Sequence, residues 1–253
     1  MLALGPPGAP MVVLLHGFLG DPEEWRPVAE HLAGDRYVLA PVLPGHDGEA
    51  PAADDYAGLV QTLAERLEPH LPEQFLLAGY SLGGRLALGL AAHYPHHLSG
   101  LVLEGAHPGL QSARERRERR THDEHWASRM ERESWAEVLD AWYRQPIFAD
   151  LDESQRQARI DRRRNLRPSH LAATLRAASL AGQPDMRPLI QQLDVPLRYI
   201  VGGRDRKFIR IARSLERIAP ALAVAKLPSV GHNCHAEAPE AVAQILDNTA
   251  IRE

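Results

Sequence analysis

Three residues far apart in the chain have the types and the order needed to make a hydroxyl reactive at neutral pH: Ser81, Asp205 and His232. A serine hydroxyl needs an imidazole to take its proton, and the imidazole needs an acid to fix its tautomer and stabilise its charged form. Ser81 lies in Gly79-Tyr-Ser-Leu-Gly83, directly after the apolar run Phe75–Ala78 and directly before a helical pattern. A sharp strand-to-helix turn at that point lifts the hydroxyl above a sheet, and the glycines admit a close backbone approach. The pentapeptide alone says little, since composition places it by chance in about one chain in ten of this length. Its partners sharpen it. Asp205 follows the apolar run Leu197–Val201 and His232 follows Ala223–Leu227, so both fall at ends of predicted strands, where a parallel sheet gathers its site. Leu14-Leu-His-Gly-Phe-Leu-Gly20 follows an early strand, and the backbone N–H of Phe18 with that of Leu82 would form an oxyanion hole. His16 is expected to shape that loop rather than to move protons.

Other chemistries find less support. His232, Cys234 and His235 cluster in sequence, but no second cluster supplies the remaining ligands of a defined metal geometry, so no metal is expected. No glycine fingerprint for a nucleotide or dinucleotide is present, and no cofactor is expected.

The elements that would position these residues alternate between short apolar runs and amphipathic helices. Strands are predicted at 11–15, 36–39, 74–78, 100–103, 197–201 and 223–227, and helices at 25–32, 56–67, 83–93 and 209–218. That alternation predicts an α/β fold with a mostly parallel sheet flanked by helices. Between about His107 and Asp185 it stops, and polar helical sequence rich in Arg and Glu takes over, with Trp126, Trp135, Trp142 and Tyr143 interleaved. The expected organisation is a core of residues 1–106 and 186–253 with a helical cap insertion at 107–185. A chain of 253 residues, 44% hydrophobic and 25% charged, fits one ordinary globular domain.

Charge narrows the partners. The net charge of −4 argues against general nucleic-acid affinity. Residues 107–170 nevertheless hold 14 Arg against 12 acidic residues, so a basic segment accompanies an acidic remainder. Such a segment would concentrate a small anionic ligand. No apolar stretch reaches the roughly 20 residues of a membrane span, and the N-terminus lacks the pattern of an export signal. With a single cysteine, Cys234, the expected location is the cytoplasm.

Over nearly its whole length the sequence resembles the α/β-hydrolase superfamily. Within it, Gly79-Tyr-Ser-Leu-Gly-Gly-Arg85, Glu104-Gly-Ala-His-Pro-Gly-Leu-Gln111, Asp140-Ala-Trp-Tyr-Arg-Gln-Pro-Ile-Phe148 and Gly231-His-Asn-Cys-His235 resemble the 2-succinyl-6-hydroxy-2,4-cyclohexadiene-1-carboxylate synthase family of menaquinone biosynthesis. That resemblance implies a cofactor-free lyase. It would remove a ring proton beside the succinyl ketone of 2-succinyl-5-enolpyruvyl-6-hydroxy-3-cyclohexene-1-carboxylate and eliminate pyruvate, with Ser81 as the base. The substrate carries three carboxylates, and family positions map onto Arg85, Arg119 and Arg163 as their partners, with Tyr80, Trp142 and Tyr143 lining the pocket. Within the arginine runs a one-residue shift would substitute Arg120, Arg162 or Arg164. Cys234 and the second glycine of Gly202-Gly-Arg-Asp205 depart from the family pattern. The competing readings are a carboxylesterase or carbon–carbon-bond hydrolase using Ser81 as nucleophile, and a noncatalytic binding module that kept the fold.

Overall fold

The computed structural model describes residues 1–249. Among them, β1 (Leu2–Leu4), β2 (Met11–Leu15), β3 (Tyr37–Ala40), β4 (Phe75–Tyr80), β5 (Leu98–Glu104), β6 (Leu197–Gly202) and β7 (Leu222–Leu227) form one sheet in the order β1-β3-β2-β4-β5-β6-β7. All neighbours run parallel except β1, which pairs antiparallel with β3. Every residue of β2 and β4 is buried, as a sheet covered on both faces requires. One side packs Val12, Leu14, Val38, Leu76, Ala78 and Ile200 with Trp25 and with α1 (Arg26–Leu32) and α11 (Pro239–Asp247). The alternate residues Val13, Leu15, Leu77 and Leu101 are fully buried too.

Six predicted strands are present with ends shifted by up to two residues, and β1 lies outside the predicted set. It is three residues long and sits at the sheet edge, too short to show a period. Further helices are α3 (Leu82–His93), α8 (Arg187–Gln192), α9 (Arg206–Ile218) and α10 (Cys234–Glu237). From β2 the chain goes to β3 on one side and later to β4 on the other, and the carboxyl ends of β2 and β4 flank the crevice that this reversal leaves. Register places Leu15 beside Gly79 and Tyr80 beside Glu104, so the loop after β2, the turn after β4 and the end of β5 come together.

The chain divides into two units. One comprises Met1–Leu43, Leu63–Pro108 and the chain from Asp185 onward; the other comprises Gly109–Pro184 and also Pro44–Thr62. The second stretch, which the sequence reading leaves with the core, includes the first half of α2 (Tyr56–Leu67). Its attachment has a physical cause within that unit: Thr174 donates its hydroxyl to His170 O (3.0 Å) and Pro44 O (3.4 Å), and a Cβ on Gly45, which holds φ +79°, would lie 1.8 Å from that hydroxyl.

The second unit is helical among the described residues: α4 (Ala113–Arg132), α5 (Trp135–Tyr143), α6 (Glu153–Arg163) and α7 (Pro168–Ala177). Ser112 and Glu115 close a reciprocal cap on α4, and Asp152 and Gln155 do the same on α6. Although α4 is mostly polar, Trp126, Ala127 and Met130 are buried, and it packs along α7, whose Leu171 and Ala172 are fully buried. Arg116 donates to the carbonyls of Leu110, Ala181 and Gln183, tying the segment that enters the unit to the one that leaves it.

Candidate active site

Ser81 joins β4 to α3 in a strained conformation, φ 51° and ψ −109°, with its side chain half-buried. Two close approaches require glycine around it. A Cβ on Gly79 would lie 2.5 Å from the Gly83 carbonyl, and one on Gly83 would lie 2.2 Å from Leu15 O. The elbow is therefore clamped onto the end of β2. Leu82 opens α3, where first-turn amides have no partner inside the helix.

The loop after β2 is held by His16. Its Nδ1 donates to Gly17 O (2.8 Å) and its Nε2 accepts from Leu43 N–H (3.1 Å), so both ring nitrogens serve the backbone. Gly20 N–H returns to Gly17 O at 3.0 Å, which closes a tight turn around Phe18 and Leu19, the latter at φ 62°. The half-buried Phe18 thus stands in a fixed turn beside the elbow.

Asp205 and His232 are brought together by their loops. Gly203 N–H donates to Leu227 O (2.7 Å) and Arg204 N–H to Val230 O (3.0 Å), lacing the loop after β6 to the loop after β7. A Cβ on Gly203 would lie 2.1 Å from Pro228 O, so the second glycine of this motif answers a close contact. Asp205 caps α9 with one oxygen, accepting from Phe208 N–H (3.1 Å), and accepts from His232 Nδ1 with the other at 2.6 Å. Burial pushes the Asp205 carboxyl up, but the hydrogen bond and charge of His232, helped by the Phe208 amide, outweigh it and hold it below the usual range.

The His232 ring is almost fully buried, tilted against Phe208 at 4.7 Å and Tyr80 at 5.2 Å. A Cβ on Gly105 would come within 2.7 Å of it. Its Nε2 has no hydrogen-bond partner among the described residues, Ser81 included. The acid–imidazole link is made and the imidazole–serine link is not; such bonds often tighten only when substrate is bound.

The remaining predicted residues divide by unit. In the sheet unit, Tyr80 and Arg85 are both buried, and the Tyr80 ring covers Gly17 so closely that a Cβ there would lie 2.7 Å from it. In the helical unit, Arg163 is 4% exposed while Arg162 and Arg164 are exposed, which separates the three members of that run. Its guanidinium lies 5.5 Å from the Tyr143 ring centroid, and it donates to Arg159 O. Arg119 spends its Nε on both oxygens of the buried Asp123 at 2.8 Å, and Asp123 also accepts from Ser179 Oγ (2.7 Å). Arg120, its neighbour, is exposed. Trp142 stacks edge-on against Trp126 at 4.9 Å.

The profile of the alpha/beta hydrolase family matches residues 12–245. The 2-succinyl-6-hydroxy-2,4-cyclohexadiene-1-carboxylate synthase of Klebsiella pneumoniae subsp. pneumoniae is 42% identical over 248 residues, covering 96% of each chain. The same enzyme of Salmonella schwarzengrund is 42% identical over 247 residues with the same coverage. The chain belongs to this synthase family of alpha/beta hydrolases. A solved structure of MenH from S. aureus matches with a TM-score of 0.89 at 24% identity, over 97% of this chain and 95% of that one. A malate-bound thermophilic esterase from Thermogutta terrifontis gives 0.77 at 24% identity, over 98% and 90%. At that identity both show the fold alone.

One feature of this synthase-family chain escaped the sequence reading. Glu104, quoted above only within a family segment, and His235, considered above only within a family segment and as a metal ligand, form a second buried carboxylate–imidazole pair, with Nδ1 3.0 Å from both carboxylate oxygens. They stand 131 residues apart, so no local spacing could link them. Among the described residues no three His, Cys, Asp or Glu side chains group as a metal site would, and no helix is long and apolar enough to cross a membrane.

Proposed function

We infer that the chain is a lyase of menaquinone biosynthesis, eliminating pyruvate from 2-succinyl-5-enolpyruvyl-6-hydroxy-3-cyclohexene-1-carboxylate to give 2-succinyl-6-hydroxy-2,4-cyclohexadiene-1-carboxylate. The observation that carries this is 42% identity to synthases along 96% of both chains, helical unit included, where hydrolases differ most. Ser81 is the base. His232 accepts its proton at Nε2, and Asp205 keeps the ring in the tautomer that leaves Nε2 a lone pair. Ser81 Oγ removes the ring proton beside the succinyl ketone, and the N–H groups of Phe18 and Leu82 hold the developing enolate oxygen. The electrons then return to form a ring double bond at C2–C3, the existing double bond shifts to C4–C5, and the carbon–oxygen bond to the enolpyruvyl group at C5 breaks; the pyruvate enolate that leaves takes up a proton to become pyruvate. This route needs no acyl-enzyme.

Arg85, Arg119 and Arg163 pair with the three carboxylates, and Tyr80, Trp142 and Tyr143 shape the binding surface. Burial supports Arg85 and Arg163 in that role, because a guanidinium set away from water attracts a carboxylate more strongly than an exposed one does. Arg119 fits as well: Asp123 takes Nε, and the two terminal nitrogens, which have no protein partner among the described residues, suit a bidentate carboxylate. The enzyme works without cofactor, metal or nucleic acid, in the cytoplasm. The test is turnover of the tricarboxylate with coupled detection of pyruvate, run beside a small neutral ester. Pyruvate release with little ester cleavage supports the lyase; ester cleavage without pyruvate release would transfer the site to the esterase reading.

A further inference from the structure

Glu104 ends β5 and is used twice. Its peptide oxygen accepts from Ser81 N–H at 2.8 Å, which holds the elbow. Its carboxylate, 2% exposed at the side chain, accepts from His235 N–H at 3.2 Å and takes Nδ1 of the fully buried His235 ring at 3.0 Å. Since a carboxylate offers only lone pairs, the hydrogen is assigned to Nδ1, as in the Asp205–His232 pair. One residue thus grips the serine turn through its main chain and the turn Gly231–His235 through its side chain.

The aromatic contacts extend this grip. Trp25 stacks on the His235 ring at 4.0 Å and 20°, and the Tyr80 ring stands edge-on to His235 at 4.9 Å while tilting against His232 at 5.2 Å. Stability alone does not explain a hydrogen-bonded carboxylate and imidazole there, because well-packed apolar residues usually serve a core equally well or better. What an apolar pair cannot do is fix direction: three hydrogen bonds set the turn against β5, and a slide along the strand breaks them. We propose that Glu104 and His235 are a positioning pair that fixes His232 and Tyr80 against Ser81. The proposal rests on the reading of Ser81, His232 and Asp205 given above.

The variants are E104Q, which keeps the shape and removes the charge, and H235F, which keeps the stack on Trp25 and removes the Nδ1 donor. H235N restores a donor at that position. Each is compared by kcat, KM, thermal midpoint and the downfield proton resonance of the His232 Nδ1–H held by Asp205. A displaced base acts on the reacting step, so kcat should fall by about tenfold to a hundredfold in E104Q and H235F. KM should stay within about threefold, the His232 resonance should shift or broaden, and H235N should recover part of the loss relative to H235F. If E104Q and H235F keep full kcat, the pair is a structural brace only and the proposal fails. It fails equally if kcat falls with the His232 resonance unmoved. Should H235F not fold, the isosteric E104Q decides. S81A separates the two readings: an active S81A overturns the serine base itself, whereas an inactive S81A beside a fully active E104Q overturns only the positioning pair.

Discussion

The two units use charge in opposite ways. In the sheet unit, Asp205–His232 and Glu104–His235 join residues 27 and 131 positions apart, with side chains at most 7% exposed. In the helical unit, Arg114–Glu118, Arg129–Glu133, Arg144–Asp140 and Arg164–Asp161 join residues three or four apart on one helix, and most of these side chains lie well in water. Exposed pairs of that kind contribute little to stability, whereas a broken buried pair costs several kcal/mol. The difference teaches where to look for function in the helical unit: at the arginines that depart from its exposed pairing, Arg163, which is buried, and Arg119, whose partner four residues on, Asp123, is buried.

The largest expected effect is in the sheet unit. Ser81→Ala should leave the fold intact and lower turnover by a factor on the order of 10³ or more. His232→Ala and Asp205→Asn should combine with it far less than additively, as members of one catalytic device do. Independent, multiplying losses would break the unit apart. Kinetics of the single and double variants at matched folded concentration measure this.

The next effect sharpens the contrast inside the helical unit. Arg163→Ala should lower kcat/KM on the tricarboxylate by roughly 2–5 kcal/mol in transition-state binding, the cost of leaving a buried carboxylate without its partner. Arg162→Ala, one residue away and exposed, should leave it nearly unchanged. Cleavage of a neutral ester should be affected by neither. Equal losses in both variants, or a loss on both substrates, would mean that Arg163 holds the unit together rather than an anion.

That comparison also marks what a sequence can and cannot display. Ser81, Asp205 and His232 were legible because strand-end positions and chain order constrain them, and the strands were legible because both faces are buried. The sequence offered Arg162, Arg163 and Arg164 as neighbours without distinction; only the fold shows that Arg163 is buried and the other two exposed. Glu104–His235 was not legible, since its partners meet only through the register of β5 and the turn after β7. Nor was the placement of Pro44–Thr62 with the helical unit, since contacts such as Thr174 Oγ1 to Pro44 O and the close fit of Gly45 join residues about 130 positions apart. Close contact likewise explains Gly203, which from sequence was merely a departure from pattern.

A smaller effect is expected at Asp123. Burial raises its carboxyl, but His122, Arg119 and Ser179 together pull it below its ordinary value of 3.8. A carboxyl with a folded pKa below its unfolded one adds stability above the unfolded value and loses it as pH falls through the folded one. Asp123→Asn should therefore be less stable than the parent at neutral pH, by about 1–3 kcal/mol for the charge-assisted bonds lost. The gap should narrow below about pH 4. Denaturant titrations at several pH values would show it; a gap independent of pH would mean that packing, not charge, supports Arg119.

The smallest effect belongs to the surface, where an exposed cluster joins two helices of the helical unit. Arg176 on α7 binds Glu124 and Glu131 on α4, at 2.8 Å and 2.5 Å. The hydrogen bond from Arg176 is the main cause that takes Glu124 down from 4.5 to about 2. By the same sign rule, this bridge helps fully above about pH 4.5 and is lost as pH falls toward 2. All three side chains are at least a third exposed, so water and salt screen the attraction, and Arg176→Ala should cost no more than about 1 kcal/mol. The cost should shrink further in 1 M salt, where the screening length falls to about 3 Å. Thermal midpoints of parent and variant, at low and high salt and at pH 7 and pH 3, measure it. A large, salt-independent loss at pH 7 would show that the bridge behaves like the buried pairs of the sheet unit, and the contrast between the two units would fail at that point.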